Sequence, residues 1–309
     1  MRVAIIGRTH FLLNTAKKIV GSGHKISFIY TCKSDSYYKA HEKDYRIFAK
    51  KNKIPYFCDN KINQKYNLLK KYKSEIGFSM NYKSIINKNI VSLFKYGILN
   101  SHPGDLPKYK GNACPNWAIL NFEKKIGLTI HSMSDDLDSG PIFCKIFKKI
   151  GSDTYIGDIY DWMDKKIPTL FLNVLKKIKQ KKFSLKKQVG SSIRTFPRIK
   201  NDDKINWYSD TKNILALIRS CSTPFDGAFT FLFNEKLKIK KKIRIFKAKK
   251  FIPKFKFYAV PGQVCLIFKG NPVIATKNGM IEILECSHIL KNNRACKLII
   301  NKSLRNRLI

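Results

Sequence analysis

No stretch of the 309-residue chain approaches the roughly 20 apolar residues that a membrane-spanning helix needs. The opening MRVAIIGRTH has only four consecutive apolar residues before Gly7, too few for a secretory signal, and a cytoplasmic location with no membrane partner is expected. The eight cysteines, at 32, 58, 114, 144, 221, 265, 286 and 296, include no Cys-x-x-Cys pair. That leaves free thiols in or near the core, and no metal, as the expected state. Glycine is short where a dinucleotide would need it. IIGRTHFLLN carries Gly7 but lacks the second and third glycines of the fingerprint, so no such cofactor is expected there.

Acidic residues are also scarce, with 21 Asp and Glu against 61 Lys and Arg and a net charge of +40. Such an excess invites a nucleic-acid reading. Only ten of the 61 are arginines, however, and arginine is the better residue for bidentate phosphate and base contacts. Lys, Asn and Ile, all abundant, belong to A- and T-rich codons, so genome composition accounts for much of the charge. The simpler reading is a lysine-coated surface, with no stable nucleic-acid partner. Such a surface still attracts anionic substrates, whether nucleotide-linked or polymeric.

The rest of the composition is globular, with 44% hydrophobic and 27% charged residues, and the length allows two domains. RVAIIG, KISFIYT, SEIGFSM and KYGILNSH read as short buried strands. FLLNTAKKIVGSG, YRIFAKKN and YKSIINKNIVSLF, which lie between them, have helical spacing. The alternation predicts an α/β fold, a Rossmann-like parallel sheet with helices on both faces, over residues 1–185. GLTIHSM and GPIFCKIFKKI are its later strands, and IGDIYDWMDKKIPTLFLNVLKKIKQ is a long closing helix. Periodicity lapses over 186–204, which reads as a linker. Residues 205–309 read as a small β-rich domain, an OB-like barrel or a sandwich. There the helix TKNILALIRSC precedes the strands GAFTFLF, KLKIKKKIRIF, GQVCLIF, PVIAT and GMIEILEC. No catalytic group is expected in it, and its one histidine, His288, has a loop-like setting.

Two stretches carry chemistry. ILNSHPGDLPKYKGNACPNW places Asn100 and His102 where a strand leaves the sheet, and ligands of parallel sheets bind at the carboxyl ends of strands. An imidazole there can act as a general base near neutral pH, and a neutral amide beside it can donate to an oxyanion. Alone, a histidine at a strand end is more often a structural hydrogen-bonder. The second stretch, IGLTIHSMSDDLDSGPIF, adds a loop with Asp135, Asp136 and Asp138. A carboxylate in that loop could reach His102, orient its ring and raise its pKa. An acidic loop alone is usually a solvated turn, and the pair is far more specific than either part.

Together they resemble the signature of the folate-dependent formyltransferases, and the resemblance extends over nearly the whole chain. In that family the motif reads Asn-x-His-x-x-x-x-Pro-x-Tyr-x-Gly, followed by Leu-Asp-x-Gly after a Gly-x-Thr strand. Here these are NSHPGDLPKYKG, LDSG and GLTIH. The resemblance implies that His102 is the general acid/base, that Asn100 steadies a tetrahedral oxyanion and that Asp138 tunes His102. It implies N10-formyltetrahydrofolate as co-substrate, held largely by backbone atoms at Ser84, Ile85 and Ile86, at Ser134, Asp135, Asp136, Leu137 and Asp138, and at Asn112. Ordinary helix packing is the alternative for 84–86. Two positions depart from the pattern: Asp105 replaces a usual Leu, and Gly104 stands where Ser is common.

Three branches of the family differ in the acceptor. Glycinamide ribonucleotide formyltransferases resemble only the first domain. Methionyl-tRNA formyltransferases share both, but typically carry a basic insertion after the second strand, where this chain reads TCKSDSYYKAHEKDY. The branch that formylates nucleotide-linked amino sugars is resembled by GNACPNWAILN and by LIRSCSTPFDGAFTF. Formylation of such a sugar, with a 4-amino group favoured, for a surface glycan such as the O-antigen of lipopolysaccharide is therefore the expected function. Methionyl-tRNA formylation is the alternative, and a homodimer is among the expected assemblies.

Overall fold

In a computed structural model the described residues are 1–234, 239–288 and 293–309. They divide into two compact units. The first comprises Met1–Cys114, Lys125–Lys149 and Ile159–Phe196; the second comprises Pro115–Lys124, Ile150–Asp158 and Pro197–Ile309.

The first unit begins with β1 (Arg2–Gly7), α1 (His10–Gly21), β2 (Lys25–Thr31), α2 (Glu42–Lys51), β3 (Tyr56–Cys58), α3 (Tyr66–Lys70), β4 (Ile76–Met80), α4 (Lys88–Val91) and β5 (Ile98–His102). The chain continues through β6 (Lys110–Gly111), α5 (Cys114–Leu120), β7 (Lys125–Ser132), β8 (Ile142–Lys149), α6 (Ile156–Lys179) and β9 (Arg194–Thr195), of which α5 beyond Cys114 and the first three residues of α6 belong to the second unit. Seven strands form one sheet in the order β3-β2-β1-β4-β5-β7-β8. The first five run parallel, as their unbroken apolar sequences predict. The last two are antiparallel, unlike the all-parallel expectation. Nine residues (133–141) join β7 to β8, fewer than a parallel crossover requires. Gly7 closes β1 against β4: its φ is +148°, and a Cβ there would run into the Met80 carbonyl. The conformation and the close approach both require glycine.

Another expectation fails in a way that bears on the site. The predicted helix over 82–94 shrinks to the four residues of α4. The segment before it is stretched out by side-chain clamps. Tyr82 Oη donates to the Asp59 carbonyl and Ser84 Oγ to the Asn60 carbonyl. Asn63 brackets the turn, donating to the Ile85 carbonyl and accepting from Asn87 N–H. These bonds give the backbone an alternative to a helical ladder. Residues 84–86 therefore do not pack as a helix.

The second unit contains α7 (Thr211–Cys221), β10 (Ala228–Asn234), β11 (Ile239–Phe251), β12 (Val264–Phe268), β13 (Asn271–Thr276), β14 (Gly279–Ser287), α8 (Asn293–Asn301) and β15 (Arg307–Leu308). Its six strands form an antiparallel sheet ordered β12-β13-β14-β11-β10-β15. A bridge from Gln263 to Arg307, with the Leu308 N–H to Gly262 carbonyl bond, ties the two edges together and closes the sheet on itself. The interior is filled by Ile205, Trp207, Ile214, Ile218, Ile245, Ile281 and their neighbours. The helix α8 was not expected from the sequence, and His288 is buried, bonded to the Lys242 carbonyl. The first residues of the predicted strand KLKIKKKIRIF, 236–238, lie outside the described residues.

Candidate active site

The site is assembled by register. Asn100 and His102 lie two apart on β5 and so project from the same face of the sheet. Antiparallel pairing sets Asn100 opposite His131 and His102 opposite Thr129 on β7, so four polar side chains share one face. Asp138 enters from the β7–β8 loop with φ of +51°, a left-handed conformation that Asp tolerates better than most residues. One of its oxygens accepts from Gly111 N–H at 2.9 Å and lies 3.4 Å from His102 Nδ1. The other lies 3.6 Å from His131 Nε2. Asp138 thus meets His102 directly, and Asn100 joins them through His131, a residue that the sequence pattern alone does not single out. Its signal was available: Thr129 and His131 alternate with Leu128 and Ile130 in a buried strand.

Partner chemistry fixes the protons. His131 Nδ1 lies 2.9 Å from the Ser132 carbonyl, which can only accept, so Nδ1 carries the hydrogen and Nε2 is bare. Asn100 Nδ2, 3.3 Å from Nε2, donates to it, and its second amide hydrogen remains available. The same reasoning puts a proton on His102 Nε2, 2.7 Å from the Tyr109 carbonyl, while Nδ1 faces a carboxylate. Both ring nitrogens of His102 face acceptors, so the ring is held as an imidazolium. Burial opposes that charge, but the Cys114 sulfur, Asp138 and the Tyr109 carbonyl outweigh it and raise the pKa to about 9. Burial, followed by the charge on His102, pushes His131 down to about 4.

The surrounding turn is packed around the ring. A Cβ at Gly104 would collide with the Tyr109 carbonyl and with His102 Nε2, so glycine lets the imidazole lie against the backbone. Thr129 Oγ1 donates to the Gly104 carbonyl at 2.7 Å. Asp105, the other departure from the family pattern, pairs with Lys145 on β8 at 2.6 Å. All eight cysteines are free thiols; Cys58 is exposed, away from the expected core position.

The remaining predicted site residues surround this cluster less closely. Ser134, Asp135, Asp136 and Leu137 occupy an exposed loop. Ile85 is 71% exposed, whereas Ile86 is buried in a cluster that Met133 also packs against. Among the described residues, the backbone N–H groups of Ile85, Ile86, Asp135, Asp136 and Leu137 donate to no other part of the chain. Gln188 donates to the Asp138 and Gly140 carbonyls, and its Oε1 is buried without a chain partner. Asn112 is exposed, and its N–H is committed to the Thr195 carbonyl. Uncommitted backbone N–H donors together with a buried, unpaired acceptor make a donor-and-acceptor set of the kind that fits the hydrogen-bonding edge of a planar heterocycle.

Comparison with known proteins gives this geometry a family. The model of the formyl transferase domain matches residues 1–175, and that of the formyl transferase C-terminal domain matches residues 198–301. The chain belongs to the formyl transferase family. It is a formyl-transferring enzyme. It is similar to the bifunctional polymyxin resistance protein ArnA of Wigglesworthia glossinidia brevipalpis, 33% identical over 278 residues, which are 83% of this chain but only 40% of that protein. It is 29% identical to the methionyl-tRNA formyltransferase of Malacoplasma penetrans over 258 residues, 83% of this chain and 78% of that one. Among solved structures, HypX of Aquifex aeolicus in complex with tetrahydrofolic acid shares the fold with a TM-score of 0.66 at 16% identity, covering 96% of this chain and 47% of that chain. The Helicobacter canadensis N-formyltransferase, in complex with folinic acid and dTDP-3-aminofucose, has a TM-score of 0.65 at 21% identity, covering 92% and 98%. Among the described residues no helix is long and apolar enough to cross a membrane, and no group of acidic, His and Cys side chains could hold a metal ion.

Proposed function

We propose that the enzyme moves the formyl group of N10-formyltetrahydrofolate to the amino group of a nucleotide-linked amino deoxysugar, with a 4-amino sugar favoured, for a surface glycan. The observation that carries the acceptor assignment is the connection between β2 and α2. It is ten residues long, 32–41, and holds only two lysines, Lys33 and Lys39. It is also tied down. Arg8 pairs with Asp35 at 2.7 Å, Ser34 Oγ donates to the Arg8 carbonyl, and Ser34 N–H donates to Glu42. A polyanionic RNA stem calls for an extended, positively charged arm, whereas this loop holds no arginine and its Asp35 takes up the half-buried Arg8 of the β1–α1 turn. The 33% identity to the ArnA protein supports the same reading.

In this reading His102, Asn100 and Asp138 are catalytic. Asn100 commits one amide hydrogen to His131 and offers the other to the oxyanion that develops on the formyl carbon. His102 is protonated on both nitrogens. Nε2–H is anchored on the Tyr109 carbonyl, so the proton on Nδ1, facing Asp138 across 3.4 Å, is the looser one. That proton passes to the departing nitrogen of the donor. The neutral ring then takes a proton from the newly acylated amine, and the cycle ends with the protons balanced. Asp138 holds the ring in place and favours its charged form. The backbone of 84–86 and 134–138, with Gln188 Oε1 behind it, would hold the folate; its formyl group is the only chemistry it supplies.

The test is a competition with saturating N10-formyltetrahydrofolate between methionyl initiator tRNA and a panel of nucleotide-linked amino sugars. Formylation of a sugar supports the reading. Efficient formylation of the tRNA with no sugar product would overturn it in favour of methionyl-tRNA formylation, to which the net charge of +40 and the 29% identity to the Malacoplasma enzyme point.

A further inference from the structure

We propose that Cys114 is a positioning residue that holds the His102 ring from the side opposite Asp138. This rests on His102 as the group that moves the proton. Cys114, at the start of α5, is 2% exposed. Its Sγ lies 3.5 Å from His102 Nε2, 3.2 Å from the Tyr109 carbonyl, 3.5 Å from the Gly111 carbonyl and 3.3 Å from Thr195 Oγ1. Thr195 gives its own hydrogen to the Lys110 carbonyl, so its oxygen can only receive from the thiol. The S–H therefore points to Thr195 Oγ1 or to the Tyr109 or Gly111 carbonyl, and the sulfur lone pairs face His102 Nε2–H. The imidazolium is clamped at both edges, by a carboxylate at Nδ1 and by a carbonyl with a polarizable sulfur at Nε2. Through Cys114 the clamp reaches β9, which pairs with β6.

The groups facing the ring come from every element around it. Asn100 lies two residues away on β5, and Thr129 and His131 lie on β7. Asp138 comes from the β7–β8 loop, and Lys110 is on β6, bonded to Ser139 rather than to the ring. Behind the sulfur, Tyr160 on α6 is held well above its ordinary pKa by burial, with Cys114 adding in the same direction. Asp138 is the only carboxylate of this set in contact with the ring. The sulfur is thus a large part of what favours charge at the far edge, and its removal should reach the ring through ionisation rather than through substrate contacts.

The experiment uses the full chain carrying Cys114→Ala or Cys114→Ser. The His102 ring is titrated by 15N NMR, assigned from the signal lost in His102→Ala, and the pH profile of kcat is measured alongside. Cys114→Ala should lower the ring midpoint by about half to one pH unit, the size of one ordinary net hydrogen bond, because sulfur is a weak acceptor even toward a charged ring. It should lower kcat roughly 3- to 10-fold while leaving both KM values within about twofold. Cys114→Ser, which keeps a donor and an acceptor, should recover most of the midpoint. An unchanged midpoint and kcat profile in Cys114→Ala overturns the proposal, as does a fall in Tm alone. If the alanine variant does not fold, a serine variant with its midpoint shifted as far as a His102 ring lacking any partner also overturns it. The ring titration needs no substrate, so failure of the formyl-transfer reading would appear separately, as wild-type protein inert toward every acceptor.

Discussion

Replacing Asp138 by Asn isolates what the carboxylate does for His102. The change preserves shape: Asn tolerates the φ of +51° at this position, and its carbonyl can still accept from Gly111 N–H. Its amide nitrogen then faces the bare Nε2 of His131, a better match than the present pair of acceptors. Only the charge opposite His102 Nδ1 is lost. At 3.4 Å and an effective dielectric of about 20, that charge is worth about 5 kcal/mol, an upper bound because the ring keeps its other partners. Opposite charges at such separations move a pKa by about one to three pH units, so the His102 midpoint should fall from about 9 to between about 6 and 8. The assay is the pH dependence of kcat/KM together with stability. His102, with its folded pKa raised, contributes stability that is present below about 6.5 and lost as pH rises through about 9. The variant should lose that alkaline slope, and turnover at neutral pH should drop on the order of 10²-fold or more. Near-normal turnover with the alkaline limb still near 9 would refute both the clamp and the role of Asp138.

Three further outcomes follow from the same geometry. Asn100→Ala should lower kcat on the order of 10²- to 10³-fold with folding intact, measured by steady-state kinetics and by circular dichroism. His131, with its pKa held down to about 4, should make the protein lose stability as pH falls from about 6.5 toward 4, and His131→Gln should flatten that acid limb in urea titrations. A Cβ at Gly140 would meet the Ser132 carbonyl, so Gly140→Ala should displace the 134–139 loop and raise KM for the formyl donor more than it lowers kcat.

What could be read in the sequence was what period and punctuation encode. β1, β2, β4 and β5 are apolar runs bounded by turn residues, and α7 fell where TKNILALIRSC places it, because those signals are local. The extended 82–87 segment was misread because it is set by Asn63, Asp59 and Asn60, some 20 residues away, through bonds that no pattern within the segment reveals. The helix α8 escaped notice for a related reason. It is a single amphipathic stretch whose buried residues, Cys296 and Ile300, acquire meaning only against β13 and β14.

The candidate site shows the same division more sharply. Asn100 and His102 were legible because they sit two apart at a strand end, and Asp138 because a known motif names it. His131 required one more step. Once GLTIHSM is a strand beside KYGILNSH, alternation puts Thr129 and His131 on a single face, and antiparallel pairing by one register makes them the neighbours of His102 and Asn100. A slip of one residue would have turned Leu128 and Ile130 to that face and left the imidazolium without a polar wall. The register that buries the apolar residues of β7 is therefore the same register that builds the proton-holding cluster, and the core and the chemistry are selected together by one hydrogen-bond ladder.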